Sequence, residues 1–291
     1  MKSSDIQIRD PFILPVPEEG CYYLFGTTDK NAWGGPGTGF DCYRGKDLEN
    51  WEGPITAFRP PKDFWATTQF WAPEVHRYEG KYYMFASFKA DGVCRGTQIL
   101  VSEKPEGPYM PLTSGPVTPR DWECLDGTLF VDDGDDSWIV FCHEWLQVGD
   151  GTICAMRISK DLKRAADEPL LLFHGSEAPW GRANHEKKYV TDGPFIYHTA
   201  SSGLLMLWSS DGKDGYAMGI AKSANGKITG PWTHEPEPIY GKDGGHGMIF
   251  RTFEGQLMMT LHRPNKTPEE RPIIMRINDQ DGVLSVFQTC S

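Results

Sequence analysis

The chain alternates short apolar segments with turns that contain glycine, proline or aspartate. Residues 10–14 are mostly apolar, a Gly-containing turn follows, and residues 22–26 form an aromatic-rich segment. Apolar runs of four to eight residues between such turns are typical of β-strands. No segment has a convincing helical period, so the pattern predicts an all-β protein.

The same pair of strands recurs five times along the chain. The first strands begin near residues 10, 73, 126, 192 and 246, and the second strands follow near residues 22, 80, 137, 204 and 255. Third strands echo one another at residues 40–43, 99–102, 155–159 and 220–223. A fixed repeat of three or four antiparallel strands predicts a five-bladed β-propeller, with residues 1–291 forming a single domain. A β-sandwich with an accidental repeat is the alternative.

Composition and charge limit the functional classes. The chain is 39% hydrophobic and has a net charge of −11, which argues against nucleic-acid and anionic-membrane partners because both need a basic surface. No apolar run approaches the roughly 20 residues that cross a bilayer, and the N-terminus has no apolar signal segment. The seven cysteines are odd in number and scattered. We therefore expect reduced thiols and a cytoplasmic protein.

Propeller topology predicts where the chemistry lies. The first residue of each innermost strand and the last residues of each second strand reach the same mouth of the central channel. The strand heads are Asp10, Trp71, Asp126, Asp192 and His246, and the tails include residues 143–145 (His-Glu-Trp) and 262–263 (His-Arg). Convergent polar groups beside aromatic rings are typical of a small-ligand site.

Paired carboxylates suit glycoside hydrolysis. One ionised carboxylate activates a water molecule, and a second, protonated carboxyl group gives its proton to the leaving oxygen. Crowded carboxylates raise the pKa of one member, which keeps an acid protonated near neutral pH. A single aspartate at a strand start more often caps a turn, so the argument depends on the equivalent positions of these residues in the repeat.

These segments resemble the motifs of glycoside hydrolase family 43. They are RDPFI at residues 9–13, WAPEV at 71–75, LDGTLF at 125–130, DGP at 192–194 and GHG at 245–247. The family consists of five-bladed propeller enzymes that act with inversion on xylosides and arabinosides. The five motifs occur in order along the chain, which makes the resemblance specific although no single motif is.

The resemblance assigns roles to individual residues. It implies that Asp10 is the general base and that Asp126 tunes the pKa of the acid and orients the substrate. Trp71 and Arg263 would contact the sugar, and His246 would lie near a calcium ion or water in the channel. We also predict that Trp145 and Phe40 contact the substrate. No organic cofactor is expected.

The fourth motif departs from the family pattern. It usually begins Glu-Gly-Pro or Glu-Ala-Pro, and that glutamate is the general acid, whereas this chain has aspartate at position 192. Aspartate is one methylene shorter, and a displacement of about 1 Å can cost on the order of a hundredfold in rate. Glu144 is an equal candidate for the acid, although it could instead pair with Arg263 or a histidine. Glu123 and Glu177 rank behind these two.

These observations predict an exo-acting, inverting glycosidase that releases xylose or arabinose from plant cell-wall oligosaccharides, a β-xylosidase or α-L-arabinofuranosidase. An endo-arabinanase of the same family is the second interpretation. A non-catalytic sugar-binding propeller remains open because aspartate replaces the usual glutamate at position 192. A protein-interaction propeller is disfavoured by the acids clustered at the channel.

Overall fold

The computed structural model describes residues 1–287, which form five four-stranded antiparallel sheets arranged as the blades of a propeller. Blade I contains β1 (Arg9–Val16), β2 (Cys21–Thr27), β3 (Phe40–Gly45) and β4 (Trp51–Phe58), and blade II contains β5 (Thr68–Tyr78), β6 (Lys81–Ala90), β7 (Val93–Ser102) and β8 (Met110–Pro111). Blade III contains β9 (Cys124–Val131), β10 (Ser137–His143), β11 (Thr152–Ile158) and β12 (Leu170–His174), and blade IV contains β13 (Asp192–His198), β14 (Leu204–Gly212), β15 (Gly215–Ser223) and β16 (Trp232–His234). Blade V contains β17 (Gly245–Arg251), β18 (Leu257–Arg263), β19 (Arg271–Gln280) and β20 (Val283–Val286). The predicted five-bladed propeller is confirmed.

Helices are short and lie in the connections. The α-helix α1 (Trp145–Val148) follows β10, and 3₁₀ turns occupy Ser3–Asp5, Pro17–Glu19 and Gly175–Glu177. No helix within residues 1–287 has the length and apolar character needed to span a membrane.

Burial explains the apolar runs seen in the sequence. Every residue of β2 is buried, and β14 is buried over seven of its nine residues, because both faces of these strands pack against neighbouring blades. The outer strand β4 is largely exposed along its middle. The six cysteines of the described residues are free thiols, five of them buried, and Cys290 lies outside those residues.

A bulge opens the first strand of every blade. The pairing register shifts there in all five sheets. The bulged residue has a left-handed backbone at Asp10 (φ 54°), Ala72 (47°), Asp126 (54°), Gly193 (52°) and His246 (49°). Residues with a Cβ adopt this conformation at a cost, and such residues concentrate at functional sites. Asp192 precedes the bulged position in its blade by one residue, so its structural equivalents are Arg9 and Trp71 rather than Asp10.

Within residues 1–287, the ring closes without exchange of a strand between the first and last blades. Each blade is one continuous chain segment, and side chains join blade V to blade I. The Arg9 guanidinium pairs with the carboxylate of Glu270 (Nη1–Oε1 3.3 Å), which is completely buried. The backbone N–H of Asp10 donates to Nδ1 of His262 (3.1 Å). The closing contacts therefore lie directly beside a predicted catalytic residue.

Aromatic packing fills the space between blades I and II. Phe40 is fully buried there, with ring centroids 6.1 Å from Phe58, 6.3 Å from Phe70 and 5.8 Å from Phe88. The prediction that Phe40 contacts the substrate is therefore wrong. This side chain begins β3 and faces the neighbouring blade rather than the channel.

Candidate active site

A cavity of about 360 Å³ opens at the mouth of the channel where the bulged strands begin. It brings together seven of the predicted site residues: Asp10, Trp71, Asp126, Glu144, Trp145, Asp192 and His246. Its volume is at the lower end of the range typical of small-ligand sites, about 300–1,000 Å³. The positions predicted from the repeat thus converge in one place.

Asp10 is held as an ionised carboxylate. Thr27 donates a hydrogen bond to its Oδ2 (2.8 Å), and Nδ1 of His246 lies 3.2 Å from its Oδ1. Burial alone would raise the pKa of Asp10, but the charges of His246 and Arg9 and the hydrogen bond from Thr27 outweigh burial and lower the pKa below its usual value. A carboxylate that stays ionised is suited to accept a proton from water.

His262 fixes the backbone of that carboxylate. Its Nδ1 accepts the N–H of Asp10, and its Nε2 lies 3.1 Å from Oδ1 of Asn265, so the hydrogen-bond pattern assigns the proton to Nε2. Burial lowers the pKa of His262 to about 3, and the ring is therefore neutral.

Asp126 and His246 form the centre of the cavity floor. Oδ2 of Asp126 accepts the backbone N–H of Gly193 (3.0 Å) and lies 3.7 Å from Nδ1 of His246. Burial, reinforced by the charge of Asp10 and opposed by His246, raises the pKa of Asp126 to about 6. Burial would lower the pKa of His246, but the surrounding carboxylates raise it overall. This upward shift favours the imidazolium form of His246, whose positive charge lies between two carboxylates.

Asp192 is held as a protonated acid. The hydroxyl of Tyr216 donates to its Oδ2 (2.9 Å). Burial first, and then the negative charge of Asp126, raises the pKa of Asp192 to about 8. This carboxyl group therefore retains its proton at neutral pH, as a general acid must.

The other candidate acids occupy different surroundings. Glu144 lines the cavity but pairs with Arg95 (Oε2–Nε 3.2 Å), rather than with Arg263 or a histidine. Glu123 pairs with Lys89 (2.7 Å) and is not part of the cavity lining. Glu177 is exposed and accepts the N–H of a neighbouring backbone group (2.8 Å). The predictions for Glu123 and Glu177 as acids are therefore wrong.

The prediction that Arg263 contacts the sugar is also wrong. It is exposed at the end of β18 and is not part of the cavity lining, because side chains alternate along a strand and His262 takes the inward position. Two other arginines, Arg9 and Arg95, line the cavity. Arg9 directly precedes the first-blade aspartate and could have been noticed, whereas Arg95 lies in the third strand of blade II without a motif.

Trp33 walls one side of the cavity and was not predicted as a site residue. Its Nε1 donates to Oγ1 of Thr267 (3.0 Å) in blade V, and its ring lies edge-on to Trp71 (5.2 Å between centroids). Nε1 of Trp71 in turn donates to the carbonyl of Ala32 (2.6 Å). The segment at residues 28–39 is thereby fastened across the junction of blades I, II and V.

The side chains near His246 do not form a calcium cage. No group of three or more His, Cys, Asp or Glu side chains within residues 1–287 is arranged to hold a metal ion. Calcium takes six to eight oxygen ligands. The carboxylates nearest to His246 are those of Asp10 and Asp126, and both already lie close to its Nδ1, at 3.2 Å and 3.7 Å. The expected calcium ion thus stays a prediction, and no catalytic step is derived through it.

Comparisons with known proteins found a matching family model and similar structures. Residues 5–284 match the sequence model of "Glycosyl hydrolases family 43". The crystal structure of an endo-arabinase from Bacteroides thetaiotaomicron VPI-5482 superposes with a TM-score of 0.91 at 43% identity, covering 97% of this chain and 98% of that one.

Two curated relatives are similar in sequence. "Xylosidase/arabinosidase 43A" of Humicola insolens is 34% identical over 82 residues, which are 28% of this chain and 24% of the relative. "Beta-D-galactofuranosidase xynD" of Aspergillus niger is 31% identical over 251 residues, 78% of this chain and 66% of the relative. The chain therefore spans less than two thirds of the length of either relative.

Proposed function

Because this chain belongs to glycosyl hydrolase family 43, we propose that it removes single arabinose or xylose residues from the ends of plant cell-wall oligosaccharides, with inversion at the anomeric carbon. The observation that carries the proposal is the opposite perturbation of two carboxyl groups in one cavity. The pKa of Asp10 is lowered and the pKa of Asp192 is raised to about 8. This separation of pKa values supports Asp10 as the base and Asp192 as the acid.

The proposed reaction is a single displacement. Asp10 takes a proton from a water molecule that attacks the anomeric carbon, while Asp192 gives its proton to the departing glycosidic oxygen. Asp126 accepts the N–H of Gly193 and thereby fixes the backbone that carries the acid. The positive charge of His246 offsets the carboxylates at the cavity floor.

Two features support action at chain ends. The cavity, about 360 Å³, is small for an oligosaccharide-binding groove. Trp33 closes one side of it through the hydrogen bond to Thr267. A pocket with one side closed in this way supports binding of a terminal sugar rather than of a continuing chain.

An endo-arabinanase is the second candidate function. It is favoured by the similarity, at 43% identity over nearly the whole chain, to a structure described as an endo-arabinase. The same comparison favours arabinose over xylose as the sugar of the first candidate.

The test combines activity with product analysis. Wild type and Asp10→Asn are assayed on 4-nitrophenyl α-L-arabinofuranoside and β-D-xyloside, and wild type is then given linear arabino- and xylo-oligosaccharides. We expect wild type to hydrolyse an aryl glycoside and Asp10→Asn to lose this activity. The sole early product from the oligosaccharides should be a monosaccharide, and NMR should show it as the inverted anomer. An early ladder of oligomers would instead establish the endo mode.

Trp33 provides a direct test of chain-end selectivity. Trp33→Ala removes the bond to Thr267, and we expect a rising share of oligomeric products because the closed side of the pocket opens. Trp138→Ala is the matched control, since Trp138 packs near Arg157 (6.0 Å) and outside the cavity lining. An unchanged product pattern in Trp33→Ala would contradict the chain-end argument.

A further inference from the structure

A buried ion pair forms part of the cavity wall and has no part in the proposed proton transfers. Nε of Arg95 donates to Oε2 of Glu144 (3.2 Å), and Nη2 of Arg95 donates to Oε1 of Gln69 (3.0 Å). The guanidinium carbon of Arg95 lies over the Trp71 ring, 3.9 Å from its centroid. Glu144 and Arg95 are 4% and 2% exposed, and all four residues line the cavity.

The protein leaves this pair incompletely bonded. Within residues 1–287, Oε1 of Glu144 has no hydrogen-bond partner, and Nη1 of Arg95 is buried without one. Buried polar atoms are nearly always partnered, and a buried ion pair is favourable only when its remaining groups are also satisfied. Nη1 of Arg95 is such a buried atom, whereas Glu144 borders the open cavity, where its unused Oε1 can accept a hydrogen bond from a ligand.

The chemistry of the pair defines that ligand. A carboxylate paired with arginine only accepts hydrogen bonds, so the ligand group is a donor such as a sugar hydroxyl. The cavity also contains the carboxyl groups of Asp10, Asp126 and Asp192, and both arginines of its lining already have a carboxylate partner. A uronic acid would meet like charges there, which favours a neutral sugar.

We propose that Oε1 of Glu144 accepts a hydrogen bond from a hydroxyl of a neutral sugar bound in the cavity, with Arg95 as the residue that positions the carboxylate. Glu144 is then a substrate-binding residue rather than the general acid. The inference rests on the proposed function, because it names how the same cavity selects its sugar.

The experiment uses Glu144→Asp, which keeps the charge but withdraws the carboxylate by one methylene, and Glu144→Gln, which keeps the length but removes the charge. Each is assayed on an aryl glycoside, whose leaving group needs no proton, and on an unactivated disaccharide of the same sugar. Because a hydrogen bond to a charged group is worth about 10- to 150-fold, we expect Glu144→Asp to lose that factor in kcat/KM equally on both substrates. Glu103→Gln is the matched control, as this ion-paired acid lies outside the cavity lining and makes no contact with Arg95 or Glu144, and it should change kcat/KM less than about threefold.

Two outcomes overturn the inference. A loss confined to the disaccharide identifies Glu144 as the proton donor and also removes Asp192 from that role. A change of less than about threefold on both substrates shows that Glu144 does not contact the sugar. Thermal unfolding of both variants verifies that they fold, and either folded variant suffices for the comparison.

A binding measurement separates this inference from the proposed function. Calorimetric titration of wild type and Glu144→Asp with arabinose and xylose requires no catalysis. Weaker binding by the variant supports the inference even if wild type hydrolyses neither aryl glycoside. Equal binding by the two proteins overturns it, whether or not hydrolysis is observed.

Discussion

Asp192→Asn should make the protein more stable and less active at the same time. Burial raises the pKa of Asp192 to about 8 in the folded protein, from its usual value of 3.8. A carboxyl group whose pKa is raised by folding contributes stability below its unfolded pKa and loses that stability as the pH rises toward the folded value. At pH 7 about three of the roughly four pH units between these two values have been crossed, which corresponds to about 4 kcal/mol at about 1.36 kcal/mol per unit.

Asparagine does not ionise and therefore avoids this cost, while its side-chain carbonyl can still accept the Tyr216 hydroxyl. We expect the melting temperature of Asp192→Asn to exceed that of wild type at pH 7, by roughly 2–4 °C for each kcal/mol gained. At pH 4 the melting difference should nearly vanish, because Asp192 is then protonated in folded wild type and only about half ionised in the unfolded state.

Activity should respond in the opposite direction. General acid catalysis contributes about 10²- to 10⁴-fold, so Asp192→Asn should lose that factor on an unactivated disaccharide and less than about tenfold on a 4-nitrophenyl glycoside. The wild-type profile of kcat/KM should fall on the alkaline side near pH 8, and this limb should be absent from the variant. Equal losses on both substrates, or a melting difference that is the same at pH 4 and pH 7, would refute the reasoning.

Two further substitutions test the surroundings of the site. Tyr216→Phe removes a hydrogen bond that favours the ionised form of Asp192, so the alkaline limb of the kcat/KM profile should move to higher pH; a shift to lower pH would contradict this geometry. Glu270→Gln leaves the Arg9 guanidinium without its buried partner, and thermal or urea unfolding should show a loss of about 3–5 kcal/mol. The exposed ion-pair residue Glu103 is the control, since Glu103→Gln should cost less than about 1 kcal/mol, and similar losses in the two variants would refute a special role for the buried pair.

The sequence repeat predicted the architecture because each blade is one continuous segment, whose strands and turns are encoded by neighbouring residues. It also located Asp10, Asp126 and His246, which occupy the same bulged position in three blades. Asp192 was grouped with them although it stands one residue earlier, because a bulge that shifts register by one residue is not visible in apolar patterning.

The errors concern side-chain direction and partners distant in sequence. Whether Phe40 faces the channel or the next blade depends on how blades I and II pack, which no local pattern encodes. Arg263 follows an inward-facing histidine and therefore points outward. Arg95 was missed because its partner Glu144 lies 49 residues away, in a different blade.

The absence of strand exchange has a consequence for how the chain reaches this structure. Each sheet is completed within a continuous stretch, as in residues 9–58 of blade I and 245–286 of blade V, so most strand pairing joins neighbours in sequence. Proteins whose contacts are local fold faster than those that depend on distant pairings. The contact between Arg9 and Glu270 spans 261 residues and is unavailable until both terminal blades exist. We therefore expect the blades to form as separate units during synthesis, with the proposed base Asp10 reaching its final position only when the last blade docks against the first.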